Sequence, residues 1–214
     1  MHYHLEIIML PTADLDKALV EIMAPHSEHD KENSHTFWDY WVIGGRYSGD
    51  KLIQSLDSAK LESFYSWLTD EEITVSGIRF GKQEIAPASQ ISKVDQKWNE
   101  LFPTPNGEFV PCPIFKHSGE RFEGDVWPLE RCKNIKAESV IIATRVPHDP
   151  DWRVDLLLHK EIWNGVLHQD TAWDGTIASA LAIQEKHLQN YRDEYKEAAT
   201  PKADWLVVTV DYHR

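Results

Sequence analysis

Apolar and polar positions alternate along "HYHLEIIML" (2–10), a run rich in β-formers. Pro11, Thr12 and Asp14 then introduce "LDKALVEIM" at helical spacing. Period two giving way to period 3.6, with a capping residue between, predicts a strand followed by a helix. Residues 25–36, "PHSEHDKENSHT", are polar and aperiodic and read as a surface loop. In 56–68 the positions Leu56, Leu61, Phe64, Tyr65 and Leu68 fall near one helical face, predicting a second helix. "IRFGKQEI" reads as a short strand, and Ser89 to Leu101 as a third helix presenting Ile91, Val94 and Trp98.

The Pro/Gly-rich segment 102–113, "FPTPNGEFVPCP", breaks the pattern and is the candidate linker or subdomain boundary. Strand signals follow at 139–146, 153–163 and 204–213. Between the last two, Ile177, Leu181, Leu188, Tyr191 and Tyr195 recur at helical spacing, with Asp174 as the expected N-cap and Pro201 beyond the end. Strands and helices mix without strict βαβ alternation. The expected class is therefore α+β, with a mixed or antiparallel sheet flanked by about four helices in a single compact unit over 1–214.

Composition narrows the function more than the fold. The chain has 214 residues, 42% of them hydrophobic and 27% charged, which is ordinary for a globular protein, but nine are tryptophan. The net charge of −13, from 22 basic against 35 acidic residues, argues against direct nucleic-acid binding and against attachment to anionic lipid. No apolar run approaches the roughly 18–20 residues needed to cross a bilayer, and "MHYHLEIIML" lacks the charge and cleavage pattern of a signal peptide. A soluble protein of the cytoplasm is expected, without membrane partners. Cys112 and Cys132 form no C-x-x-C pattern and read as thiols.

Three constellations carry candidate chemistry. The first is "FWDYWVIGGRYSG" (37–49), which places five aromatic side chains beside Gly44-Gly45 and Arg46. As an extended segment it sends Trp38, Tyr40 and Val42 to one side and Phe37, Asp39, Trp41 and Ile43 to the other. The glycine pair permits positive φ and a close approach, and Arg46 offers a planar fork matched to phosphate or carboxylate. Trp38, Tyr40, Trp41, Arg46 and Tyr47, with His117 and Trp173 from later loops, are thus candidate contacts for a nucleotide-like phosphorylated ligand. The same residues also suit a buried two-sided strand with Arg46 paired to an acid. Neither a dinucleotide-binding fingerprint nor a P-loop is present.

At the two ends of the chain lies the second constellation. His2, His4 and Glu6 share one strand face, as do Asp211 and His213. If the two strands were neighbours, these five could converge on a divalent metal, the one cofactor considered, and support a metal-dependent hydrolase. A polar solvent face of a half-buried strand explains them equally well.

Loops 115–128 and 163–175 form the third constellation, mixing Gly, His, Asp and Trp. There His117 or His168 could act as acid or base, oriented by Asp125, Asp170 or Asp174. Motifs of the common hydrolases are absent.

Together "FWDYWVIGGRYSG", "FGKQEIAPASQISKVDQKWNELFP", "CPIFKHSG", "WNGVLHQDTAWDG" and "DWLVVTVDYHR" resemble a family of proteins of unassigned activity found in bacteriophages and related mobile elements. Its best-defined element, W-D-[WY]-[WYF]-x-[IL]-G-G-R-[WY]-[ST]-G, is matched from Trp38 to Gly49. The resemblance spans almost the whole chain and implies a viral accessory protein of the infected bacterial cytoplasm. Such proteins redirect host nucleotide metabolism or inhibit host defence. The acidic composition would then suit docking onto a basic host protein, an alternative to small-molecule binding.

Overall fold

The computed structural model describes residues 1–28, 38–73, 88–109, 112–113, 125–145, 153–159, 173–190 and 200–213. The fold is α+β, as the mixed pattern predicts, and the contacts divide the chain into two compact units. Unit 1 comprises Met1–Gly44 and Asp125–Arg214, and unit 2 comprises Gly45–Gly124. The boundary expected at 102–113 falls inside unit 2.

Unit 1 is built on six strands, β1 (His2–Met9), β2 (Tyr40–Ile43), β3 (Val126–Pro128), β4 (Ser139–Arg145), β5 (Arg153–His159) and β6 (Leu206–His213). Their order is β2-β6-β1-β4-β5, with β3 also paired to β6. Only β1–β4 is parallel; the other ladders are antiparallel, so the sheet is mixed. Strand β1 is followed by helix α1 (Leu15–Met23), where Asp14 accepts from the Lys17 N–H at 3.0 Å and satisfies one of the orphan donors of the first turn. Helix α5 is described as Ile177–Asn190. Its cap is Thr176, whose hydroxyl oxygen accepts from the Ser179 N–H at 3.1 Å, while the expected cap Asp174 sits two residues earlier and takes the Thr176 and Ser179 hydroxyls at 2.7 and 2.6 Å.

Period-two alternation sorts the strand residues onto two faces. One face carries Leu5, Ile7 and Met9 of β1, Val208, Val210 and Tyr212 of β6, and Ile141 and Ala143 of β4. Leu19, Ile22 and Met23 of α1 close over it to form a core in which each fully buried aliphatic contributes roughly 1.5–3 kcal/mol. The opposite face carries Thr144, whose hydroxyl accepts from Gln184 of α5 at 3.3 Å, so α5 lies on that side. Toward its other end this second face holds His2, His4, Glu6, Thr209, Asp211 and His213.

Strands β2 and β3 follow one another along the same edge of β6. Ile43 pairs with Val210 and Val126 with Val208, leaving only Thr209 between them. The Gly44 N–H reaches the Thr209 carbonyl at 2.8 Å. Unit 2 is therefore an insertion that leaves and re-enters one edge strand across a single residue of its neighbour. Gly44 and Gly45 begin the departure with φ of 71° and 51°, values at which a Cβ would be strained.

Within unit 2 lie α2 (Asp50–Gln54), α3 (Ser58–Asp70) and α4 (Ala88–Leu101). Asp57 caps α3 by accepting from the Lys60 N–H at 2.9 Å. Phe64 and Leu68 of α3 and Val94 and Trp98 of α4 are buried in one cluster, the Phe64 and Trp98 rings meeting edge-on at 5.2 Å. The predicted faces of both helices are the buried ones. The predicted strand over 78–85 lies outside the described residues.

Candidate functional site

The residues of the aromatic motif separate. Trp38 is 1% exposed, sits in the α1 core and meets Tyr212 edge-on at 6.3 Å. Trp41 is half-buried and packs on the same core. Tyr40 is 57% exposed and points to the other face. Strict alternation placed Trp38 with Tyr40, whereas the structure places it with Trp41. The cause is local: regular pairing starts only at Tyr40, and Asp39 is a bend whose N–H donates to the His213 carbonyl at 3.1 Å. Two of the three rings proposed to stack on a ligand are thus packing residues.

Arg46 and Tyr47 lie in the 3-10 turn Gly45–Tyr47 and belong to unit 2, while Trp38, Tyr40 and Trp41 belong to unit 1. Trp173 is half-buried, and its Nε1–H donates to the Thr176 carbonyl at 2.9 Å, which ties it to the start of α5. His117 and His168 lie outside the described residues. Asp125 is buried.

The two terminal constellations come together. Strands β1 and β6 are neighbours, with His2 opposite His213, His4 opposite Asp211 and Glu6 opposite Thr209. Strand β2 extends each row, placing Tyr40 opposite His213 and Val42 opposite Asp211. Opposed residues of an antiparallel pair share a face, so one row across three strands reads Tyr40, His213, His2 and the next Val42, Asp211, His4.

Each imidazole is held by a carboxylate. His213 Nδ1 lies 2.9 and 3.0 Å from the two oxygens of Asp39, and His2 Nδ1 lies 2.8 Å from Asp211 Oδ1. Deepest is His4, whose Nε2 is 2.9 Å from Glu6 Oε1, the oxygen that also receives the Thr209 hydroxyl at 2.8 Å. Exposure falls along the series, from 39%/40% for the His213–Asp39 side chains through 25%/4% for His2–Asp211 to 6%/0% for His4–Glu6. The backbone of His4 is clamped as well: its N–H donates to Glu138 Oε2 at 2.8 Å and its carbonyl accepts from the Ser139 hydroxyl at 3.1 Å. The hydrogen bond from His213, reinforced by its charge, holds the Asp39 carboxyl below its ordinary value.

The five residues expected to ligate a metal therefore do assemble on one face, but they do not aim at a common point. His2 Nδ1 and His4 Nε2 are turned to different carboxylates. Among the described residues no group of three or more His, Cys, Asp or Glu side chains is disposed to hold a metal ion. Sequence reasoning missed Thr209, Glu138 and Ser139. Thr209 was legible as the next member of the Thr209, Asp211, His213 alternation; Glu138 and Ser139 carried no signal, because they enter through the β1–β4 crossover pairing.

Among the described residues no helix is long and apolar enough to cross a membrane. No protein family, no curated protein and no solved structure matches the chain.

Proposed function

We propose that the protein binds a nucleotide-like small molecule at the end of the sheet where β1, β6 and β2 meet, with the exposed ring of Tyr40 as its platform. The observation that carries this reading is the Tyr40–His213–His2 row. A large exposed ring beside two partly exposed imidazoles, 5.1 Å apart and edge-on to each other, has its flanking hydrogen-bonding groups already oriented by carboxylates. Ring stacking of this kind is worth roughly 1–3 kcal/mol per base. The motif shared with bacteriophage proteins supports a viral accessory role, in which capture of such a molecule would serve the infection.

Calorimetry of the full chain against a panel of nucleosides and nucleotides tests the reading. Binding weakened about tenfold by Tyr40→Ala, and little changed by Arg46→Ala, is the expected result. The reverse pattern would return the site to the Gly-Gly-Arg turn and overturn the assignment.

A second reading, docking onto a basic host protein, is supported by the net charge of −13. Salt-sensitive recovery of one stoichiometric partner from host lysate would favour it over small-molecule capture.

A further inference from the structure

The groups that build the ring row fit one half of a nucleotide and not the other. Asp39, Tyr40, Val42, His2, His4, Glu6, Thr209, Asp211 and His213 include no lysine or arginine. The one cationic group seen beside them is the α-amino group of Met1, 3.2 Å from His213 Nε2, set against the carboxylates of Asp39, Asp211 and Glu6. A phosphate brought here would meet acceptors that repel it. A flat group that donates hydrogen bonds would meet acceptors already in place.

We infer that the row recognises a planar donor edge, of the amidinium or guanine type, stacked on Tyr40 and hydrogen-bonded to the Asp39 carboxylate. The inference rests on the ring row being the binding surface, as proposed above, and adds the class of ligand.

Asp39 suits the role on three counts. It precedes Tyr40 directly, its side chain is 40% exposed, and its orientation is set by His213 Nδ1. Each carboxylate oxygen has two lone-pair sites, so one hydrogen bond to an imidazole leaves acceptor capacity for two parallel donors. The bond to His213 also keeps the carboxyl ionised to lower pH than usual, preserving the acceptor.

Guanine offers N1–H and N2–H side by side to such a carboxylate. Adenine offers one donor beside an acceptor nitrogen, which faces the carboxylate lone pairs. Selectivity for guanosine over adenosine follows, and benzamidine is the minimal probe because it is a flat amidinium without sugar or phosphate.

The test is titration of the full chain with benzamidine, guanosine, adenosine and inorganic phosphate, followed by calorimetry and by amide NMR shifts. Benzamidine and guanosine should bind, adenosine about tenfold more weakly and phosphate not measurably, and Asp39→Asn should cost about tenfold in benzamidine affinity. Tyr40→Phe should retain binding, which guards against a general disturbance of the sheet end. Phosphate binding without benzamidine binding overturns the donor-edge inference; if Tyr40→Ala still weakens the phosphate ligand, the ring-row reading survives it. No binding by any probe, nucleotides included, overturns both.

Discussion

The Thr209 hydroxyl donates to Oε1 of Glu6 at 2.8 Å, on the oxygen that also faces His4 Nε2, and neither Thr209 nor Glu6 is exposed to any degree. A carboxylate in that position depends on its donors, because water cannot replace them. Thr209→Val removes one with almost no change of shape and should cost about 1–3 kcal/mol in urea denaturation. In a Glu6→Gln background, where the charge is absent, the same substitution should cost less. Equal costs in the two backgrounds would mean that the bond contributes nothing specific.

Trp38 and Tyr40 are two residues apart, yet their environments differ. Trp38→Ala empties a filled core position and should destabilise the protein by about 3–5 kcal/mol. Tyr40→Ala, on an exposed ring, should stay within about 0.5 kcal/mol. Chemical denaturation of the two variants checks the pair, and the ligand titrations should rank them in the opposite order.

The Asp174 carboxyl is lowered to about 2 by the Ser179 and Thr176 hydroxyls and the Thr176 N–H, from an ordinary value of 3.8. A depressed folded-state value means that the charged form is favoured by folding. The contribution is therefore present above pH 3.8 and is lost as pH falls toward about 2. Melting curves should show Asp174→Asn below the parent protein at neutral pH, with the gap closing across that acidic window. Asp39 acts with the same sign, through its bond to His213.

Direct fusion of Gly44 to Asp125 would set two residues of one strand opposite Thr209, which is the arrangement of a β-bulge. The shortened chain, lacking 45–124, should fold cooperatively and keep the β6 amide shifts of the full protein. Loss of a cooperative transition would show that unit 2 is required for the sheet.

Much of this architecture was legible in the pattern of residues. Helices α1, α3 and α4 were readable because their apolar stripes and the caps Asp14 and Asp57 are local signals. The pairing of β1 with β6 was stated only as a condition, since alternation shows which residues share a face and not which strand lies alongside. Strand β3, only three residues long, has too short a period to read. Trp38 and Tyr40 were assigned to one side because a bend at Asp39 leaves no trace in a polarity pattern. The histidine–carboxylate pairs divide in the same way. Residues in alternation on one strand were found, whereas Glu138 and Ser139 are brought to His4 by a parallel crossover.

Strand β6 is bonded to β1, β2 and β3 and comes after all of them in the chain. During synthesis none of those three ladders can close until residues 206–213 have left the ribosome, whereas α3 and α4 of unit 2 come from one uninterrupted stretch made earlier. The inserted unit thus matures first and the surrounding sheet last, with the apolar edges of β1 and β2 waiting in a partly made chain for the strand that covers them.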